Sequence, residues 1–322
     1  MDEMNQSDFP IMPSEQIIGQ MQIEERAFLC GMPSGLQHRQ MLAVRDAMRG
    51  DYSALDQIRL SRNVVPTLPD GIKTIRPTDN LCIFSPTEPS GRKRPLLLYL
   101  HGGGWCFGSI NSCARFCASL ALLSDCCVAA LAYRLSPQVA FPTPLNDCKE
   151  AFTYLKAHAD EWGCNPSRIS IGGDSAGGNL ALATALSVSD VHKVIAIYPV
   201  TKLFTESTPS WEKYACGYGD DAELLEAFCE AYAGSEANNP LASVGLADDD
   251  ALRTLPPVLI ISAGHDILFD QTAEFAHRLR ALHHPLSYHV YPTATHLFIT
   301  VPGQQTAFTE AVKTVGSFLN SK

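Results

Sequence analysis

From about residue 72 onward, short apolar segments alternate with longer stretches of helical periodicity. The predicted strands are 72–76, 81–84, 96–100, 127–132, 168–171, 194–198, 258–262 and 287–291, and the predicted helices are 113–122, 146–157, 176–187, 271–282 and 307–319. Segments such as 96–100 are apolar at every position, which is typical of strands buried on both faces of a mostly parallel sheet wrapped by helices. The pattern therefore predicts the α/β fold class.

Two parts of the chain depart from this alternation. The first sixty residues carry helical periodicity broken by glycine and proline, and predict a helical N-terminal appendage. The second part, about 201–252, separates two predicted strands and is rich in aromatic side chains. Loops this long are usually functional, for example as a lid. We therefore expect one domain over 1–322, with a cap formed by about 1–65 and about 201–252 and a catalytic core over about 70–200 and 253–322.

Composition places the chain among globular proteins and excludes several classes of partner. Of the 322 residues 46% are hydrophobic and 18% are charged, whereas a disordered chain has few apolar residues and many charges. The longest apolar run has about eight residues, well short of the ~20 that cross a bilayer. The net charge is −10 without a block of basic residues, which argues against nucleic acid as a partner. Whether the chain forms a homo-oligomer is left open by the sequence.

The N-terminus and the cysteines point to the same compartment. The acidic, polar N-terminus has neither the basic nor the apolar region of a secretory signal, so a cytoplasmic location is expected. Several of the eleven cysteines lie inside apolar patterns, where free thiols pack as small hydrophobic side chains. We therefore expect the cysteines to be reduced.

A G-x-S-x-G sequence, Gly173-Asp-Ser-Ala-Gly177, lies between a predicted strand and a predicted helix. A serine on such a turn exposes its hydroxyl, and the two flanking glycines allow the strained turn and the close approach of the helix. The helix N-terminus adds partial positive charge where an oxyanion would form. The motif predicts that Ser175 is a nucleophile; the alternative is a structural turn serine.

Three successive glycines, Gly102, Gly103 and Gly104, follow the predicted strand 96–100 in the sequence HGGGW. Their backbone N–H groups can point into a cavity, where such donors stabilise a tetrahedral oxyanion when water is excluded. We call residues 101–105 the glycine loop. We expect an oxyanion hole formed by this loop and by the amide of Ala176, which follows the predicted nucleophile. The alternative is a phosphate-binding loop, but the dinucleotide spacing G-x-G-x-x-G is absent.

A serine nucleophile needs a base, and the base needs a carboxylate that holds it in one tautomer. Asp266 follows the predicted strand 258–262, and His296 follows the last predicted strand. Because functional loops gather where parallel strands end, Asp266 and His296 are predicted to complete a triad with Ser175. Asp270 is a competing acid, but its place at the start of the next predicted helix favours a helix cap.

Metal and thiol chemistry find little support in the sequence. The cysteines and histidines lack the paired spacings of zinc sites, and no H-E-x-x-H sequence occurs. Cys106 lies near the glycine loop without an adjacent histidine, so packing is the better interpretation. No metal site is expected.

Taken together, these motifs resemble those of the hormone-sensitive-lipase-like family of α/β-hydrolase esterases, and the later part of the chain, with Tyr232-Ala233-Gly234 and Pro256-Pro257, resembles its bacterial acetyl esterase branch. The resemblance rests on HGGGW at 101–105, YRLSP at 133–137 with Phe141-Pro142, GDSAGGN at 173–179, D-x-L-x-D at 266–270 and His296, all in the family's order. It covers about residues 72–320 and implies an α/β-hydrolase fold with a helical cap. Ile267 stands where the family often has proline, and Gln138 where it often has glutamate. Neither change removes a catalytic group.

The resemblance implies a serine carboxylesterase that hydrolyses short-chain acyl esters, acetyl to butyryl, through an acyl-enzyme and without a cofactor. Its partner is a small-molecule ester, and Trp105, Phe107 and Trp211 are predicted to build the substrate pocket. An arylformamidase or other amidase with the same triad is one alternative. A small-molecule receptor on a hydrolase fold is another, although such a receptor is expected to lack a member of the triad.

Overall fold

The centre of the protein is one β-sheet, seen in a computed structural model that describes residues 18–203 and 207–321. The strands are β1 (Ile72–Thr78), β2 (Leu81–Pro86), β3 (Arg94–Leu100), β4 (Cys127–Leu131), β5 (Cys164–Asp174), β6 (Val194–Ile197), β7 (Val258–His265) and β8 (Leu286–Thr295). The eight strands have the order β1-β2-β4-β3-β5-β6-β7-β8, with β1 and β2 antiparallel to their neighbours and the others parallel. The predicted α/β class and mostly parallel eight-stranded sheet are confirmed.

Strand β3 shows why continuous apolar runs form the middle of this sheet. All of its residues are buried. Leu96, Leu98 and Leu100 pack into the hydrophobic cluster on one face, while Leu97 and Tyr99 pack into the cluster on the other. Side chains alternate between the two faces of a strand, so a strand covered on both faces needs an apolar residue at every position.

Helices cover both faces of the sheet and precede it in the chain. They are α1 (Ile23–Gly31), α2 (Leu36–Met48), α3 (Ser53–Arg62), α4 (Ile110–Ser124), α5 (Thr143–His158), α6 (Ala176–Ala185), α7 (Pro209–Lys213), α8 (Ala222–Tyr232), α9 (Asp249–Arg253), α10 (Phe269–Ala281) and α11 (Gln305–Asn320). All five helices that the pattern predicted are present, and four of them start two or three residues earlier than predicted, because apolar periodicity does not show where the first turn begins. In α4, for example, Ser109 and Ser112 form a capping box. No helix within 18–203 and 207–321 is long and apolar enough to cross a bilayer.

The two segments predicted to form the cap lie against each other. Helix α2 from the N-terminal segment packs on α8 from the insertion after β6. The Gln37 side-chain amide donates a hydrogen bond to the Gly219 carbonyl, and His38 Nδ1 lies 2.8 Å from a carboxylate oxygen of Glu223. The division into cap and core stays a prediction, and positions 1–17, 204–206 and 322 of the predicted segments lie outside the described residues.

The turn between β5 and α6 has room only for hydrogen at two glycines. A Cβ at Gly173 or at Gly177 would overlap the carbonyl oxygen of Leu100 on the neighbouring strand β3. Both glycines are therefore required by the close approach of three backbones: β5, α6 and β3. This contact fixes the position of the turn that carries Ser175.

Gly177→Ala is expected to lower the free energy of unfolding by about 3 kcal/mol, because the new methyl group must displace backbone rather than a flexible side chain. Gly31→Ala is the matched control, since a Cβ at this last residue of α1 meets no atom within 4 Å. Urea denaturation followed by circular dichroism measures both changes. A Gly177→Ala protein as stable as the control would contradict the close backbone approach.

Candidate active site

Three predicted site residues each follow directly on the last residue of a parallel strand. Ser175 follows β5, Asp266 follows β7 and His296 follows β8. Because these strands are parallel, their carboxyl ends and the three residues that follow them lie at one edge of the sheet. The exposed fractions of Ser175, Asp266 and His296 are 4%, 1% and 1%, so the site is enclosed.

Ser175 has a strained backbone, with φ 55° and ψ −121°. A positive φ is unfavourable for a residue with a Cβ, and such strain costs about 1–3 kcal/mol. The turn is held by the Ser175 N–H, which donates to the Ile197 carbonyl at 2.8 Å. The residue lies immediately before helix α6, so its side chain stands at a helix N-terminus, where partial positive charge favours a developing anion. Its hydroxyl makes no hydrogen bond to any residue that the structure describes.

His296 is held by contacts on its Nδ1 side and on its backbone. Nδ1 lies 2.7 Å from Asp266 Oδ2, and the other carboxylate oxygen of Asp266 accepts the Leu268 N–H at 2.9 Å. The Gln304 side-chain amide donates to the His296 carbonyl at 3.0 Å, and the Tyr198 ring packs on the imidazole with centroids 4.3 Å apart. These contacts fix the ring and assign Nδ1 to the aspartate, which leaves Nε2 for chemistry.

The atom left for chemistry has an unexpected neighbour. His296 Nε2 is buried without a hydrogen-bond partner among the described residues, yet Asp220 Oδ2 lies 3.3 Å away, outside hydrogen-bonding geometry. Asp220 belongs to the loop before α8, in which Gly217 and Gly219 have φ values of 84° and 121°. A Cβ at Gly219 would lie 3.5 Å from His296 Cβ, an ordinary van der Waals distance, so the loop lies directly against the histidine, and it is the positive φ that requires glycine there.

The pKa of His296 reflects this concentration of carboxylates. Burial lowers the pKa, but the nearby charges of Asp266, Asp220 and Asp174 outweigh burial and raise the pKa to about 9. Burial raises the pKa of Asp220 in turn, opposed by the imidazole. At neutral pH the His296 imidazole of the enzyme without substrate is therefore largely protonated. Only its neutral form can accept a proton from a hydroxyl.

The glycine loop presents free amide groups to the same region. The N–H groups of Gly103, Gly104 and Ala176 have no acceptor within the described part of the chain. Gly103 and Gly104 have φ values of 108° and 57°, which only glycine adopts without strain. Gly102 differs from these predicted donors, because its N–H already donates to Asp174 Oδ1 at 3.2 Å. The free donors of this structure are therefore three of the four that were predicted.

Asp174 connects the glycine loop to the central strands. Its Oδ1 accepts hydrogen bonds from the Tyr99 hydroxyl at 2.9 Å and from the Gly102 N–H. Burial raises the pKa of Asp174 to about 6, and the Tyr99 hydrogen bond and the charge of His296 act in the opposite direction. The sequence left the role of this residue open, and the structure makes it an anchor that holds the loop in register with Ser175.

The three aromatic residues predicted to build the pocket lie in two places. Trp105 stacks on Tyr232 with centroids 4.3 Å apart, and Phe107 meets Phe228 edge to face at 5.4 Å. Both rings are buried between the glycine loop and α8. Trp211 instead lines a cavity of about 530 Å³ beside α8 and α10. The substrate-contacting role of all three side chains stays a prediction.

The side chains weighed as competitors have other partners. Asp270 is not the N-cap that was predicted, because α10 already begins at Phe269; its carboxylate accepts the Ser210 N–H at 2.7 Å. Cys106 is buried, and burial raises the pKa of its thiol far above the ordinary value, which suits packing rather than nucleophilic chemistry. Across 18–203 and 207–321 no group of three or more His, Cys, Asp or Glu side chains is arranged to hold a metal ion.

A strained serine after a parallel strand, a histidine–aspartate pair at the same edge and free glycine amides beside them define the class of α/β-hydrolases. A family model described as the alpha/beta hydrolase fold matches residues 97–300. The acetyl esterase of Salmonella paratyphi B is 32% identical over 265 residues, covering 80% of this chain and 79% of that protein. The esterase LipI of Mycobacterium tuberculosis is 31% identical over 234 residues, 71% and 73% of the two chains.

The chain belongs to the α/β-hydrolase fold family, among its hormone-sensitive-lipase-like esterases, and is a carboxylic ester hydrolase. Solved structures agree with this assignment at the level of the fold. A thermostable esterase from Pseudomonas putida superposes with a TM-score of 0.81 at 24% identity, covering 94% of this chain and 99% of that one. An ester hydrolase from the metagenome of Lake Arreo has a TM-score of 0.76 at 26% identity, covering 94% and 100%.

Proposed function

We propose that this protein is a serine carboxylesterase that hydrolyses short-chain acyl esters, acetyl to butyryl, through an acyl-enzyme on Ser175. The observation that carries the proposal is the 2.7 Å contact between Asp266 and His296 Nδ1, with Nε2 left unpartnered at the sheet edge that also holds Ser175. A neutral imidazole held in this way is the base that a serine hydroxyl requires.

These groups support the following reaction. His296 Nε2 takes the proton of Ser175 as Oγ attacks the ester carbonyl carbon, and Asp266 stabilises the imidazolium that forms. The amides of Gly103, Gly104 and Ala176 donate to the tetrahedral oxyanion, where each donor contributes about 10²–10³ in rate. The imidazolium then protonates the departing alcohol. Water, activated by the same histidine, cleaves the acyl-enzyme and restores Ser175.

The preference for short acyl groups is supported by the enclosure of the site and by its relatives. Ser175 is buried, and the rings of Phe107 and Phe228 pack against each other between the glycine loop and α8. A Cβ at Gly104 would overlap the Phe228 ring, so little space separates the loop from the cap segment. The Salmonella relative is named an acetyl esterase.

The proposal is tested with p-nitrophenyl acetate, butyrate, octanoate and palmitate, together with labelling by diethyl p-nitrophenyl phosphate. We expect kcat/KM to be highest for acetate or butyrate, and the diethyl phosphoryl group to be found by peptide mass spectrometry on Ser175. A label on another residue would overturn the nucleophile. N-formylkynurenine is assayed in parallel: turnover of this amide without turnover of the esters would favour the amidase, and binding without any turnover the receptor.

A further inference from the structure

A cavity of about 400 Å³ lies beside the glycine loop. Its walls come from Gly102 and Gly103 of that loop, from the end of α3, from the start of α4 and from the segment that follows His296. Two arginines, Arg62 and Arg115, line the cavity, and its lining contains no acidic residue. In a chain with a net charge of −10, this concentrates positive charge next to the proposed oxyanion hole.

The two guanidinium groups are held over aromatic rings but lack polar partners. The Arg62 Cζ lies 5.1 Å from the centroid of Phe107, and the Arg115 Cζ lies 3.9 Å from that of Phe308. Neither side chain makes a hydrogen bond or ion pair with any residue of 18–203 or 207–321, although both are half-buried. A guanidinium carries five N–H donors, so each arginine has its donors available to a ligand.

Other partly buried arginines of this chain are paired, which makes these two exceptional. Arg94 donates to Asp125 Oδ1 at 2.6 Å, and Arg59 donates to the carbonyls of Cys106 and Ser136 at 2.9 and 2.8 Å. Half-buried charge without a hydrogen bond or ion pair is unfavourable in a fold, so two such arginines on one cavity mark a candidate ligand site.

The backbone around the two arginines fixes them on one cavity. Asn63, directly after Arg62 at the end of α3, accepts hydrogen bonds from the Ser109 hydroxyl at 2.9 Å and from the Asn111 side-chain amide at 2.8 Å. These bonds tie the end of α3 to the start of α4, the helix that carries Arg115. The N-terminus of α4 borders the same cavity and adds to its positive potential.

Arg62 also connects the cavity to the reacting groups. Burial lowers the pKa of its guanidinium, and the charge of Asp220 acts in the opposite direction, so the two groups are within electrostatic reach of each other. Asp220 in turn lies 3.3 Å from His296 Nε2. An arginine side chain stays positively charged at neutral and mildly alkaline pH. A ligand that contacts Arg62 is therefore placed near the atoms that react.

We propose that this cavity binds a carboxylate carried by the ester, so that the preferred substrates are short esters with one negative charge. Half-esters of small dicarboxylic acids and acetate esters of hydroxy acids have this chemistry. The planar guanidinium groups of Arg62 and Arg115 match the geometry of a carboxylate. The inference rests on the proposed esterase function and names its substrate class; the hydrolytic step itself is unchanged.

The test compares anionic and neutral esters of equal acyl length. Monoethyl succinate is paired with ethyl butyrate to place the charge on the acyl side, and 4-acetoxybenzoate is paired with its methyl ester to place it on the alcohol side. For at least one pair we expect the ratio of kcat/KM, anionic over neutral, to exceed one. Arg62→Gln and Arg115→Gln are each expected to lower that ratio by about tenfold or more. Arg45→Gln, which changes an exposed arginine on α2, is expected to leave the ratio as in the wild type.

Ionic strength supplies a second readout that needs no variant. Raising NaCl from about 20 mM to about 500 mM is expected to lower the ratio in the wild type, because salt screens the attraction of the arginines for the carboxylate. A ratio below one for both pairs, or a ratio insensitive to salt and to both substitutions, would overturn the inference while ethyl butyrate hydrolysis still upholds the esterase. Absence of turnover for every ester would instead overturn the proposed function.

Discussion

Ser175→Ala is expected to lower kcat for p-nitrophenyl acetate by about 10⁴- to 10⁶-fold. The substitution removes the atom that we propose attacks the carbonyl, whereas the free amides and the pocket remain and should sustain only a small residual rate. Alanine keeps the Cβ and therefore the same backbone strain at φ 55°, so the free energy of unfolding should stay close to that of the wild type. Steady-state kinetics and urea denaturation on the same preparations measure the two effects.

Ser170→Ala is the matched control for this experiment. Ser170 lies on the same strand β5, is buried, and has an Oγ without a hydrogen-bond partner among the described residues. Loss of its hydroxyl should leave kcat within a factor of about two. If Ser175→Ala kept more than a tenth of the wild-type rate, the nucleophile would have to be sought elsewhere.

The second large effect is expected in the pH dependence, from Asp220→Asn. Asp220 is one of the carboxylates that raise the pKa of His296 to about 9, against the effect of burial. Below that pKa the histidine is protonated and cannot take the proton of Ser175, so kcat/KM should rise with pH up to about pH 9 in the wild type. Removing the Asp220 charge lowers the pKa of His296 and moves the rise to lower pH. If that pKa falls by about one, the neutral fraction of the histidine near pH 7 increases about tenfold.

Two further variants serve as comparisons for Asp220→Asn: one should lose activity at every pH, and the other should behave like the wild type. Asp266→Asn removes a charge that also raises the pKa of His296, but it breaks the 2.7 Å contact as well, so activity should fall by about 10⁴-fold at every pH. Glu223→Gln removes an exposed carboxylate of α8 that pairs with His38, and should leave the profile unchanged. Profiles of kcat/KM from about pH 5 to about pH 10 distinguish these outcomes. An unshifted profile for Asp220→Asn would show that its carboxylate does not act on His296.

The sequence predicts best those residues that the local backbone geometry requires. Gly173 and Gly177 mark the strand-to-helix turn because nothing larger fits there, and the apolar run of β3 marks its burial on two faces. Strand ends are harder to predict. Strand β5 extends to Asp174, beyond its predicted end, because the glycine-rich segment pairs with β6 although its composition disfavours strands.

The residues that the sequence misses depend on contacts between distant segments. Asp220 looks like one more acid in a long insertion, and only the folded loop, with Gly217 and Gly219 in the left-handed region, brings it to His296. Arg62 and Arg115 fit the polar faces of ordinary helices, and what sets them apart is the lack of partners around a shared cavity. Spacing along a chain does not reveal absent partners.

The loop that carries Asp220 lies outside the sheet. Helix α2 of the N-terminal segment holds this loop in place through the hydrogen bond from the Gln37 side-chain amide to the Gly219 carbonyl. The proposed nucleophile and base therefore follow strands of the sheet, whereas Asp220, one of the three carboxylates that raise the pKa of the base, comes from the insertion after β6. We therefore expect that exchanging the five residues 217–221 changes the pH dependence of the enzyme while the residues at the sheet edge stay the same.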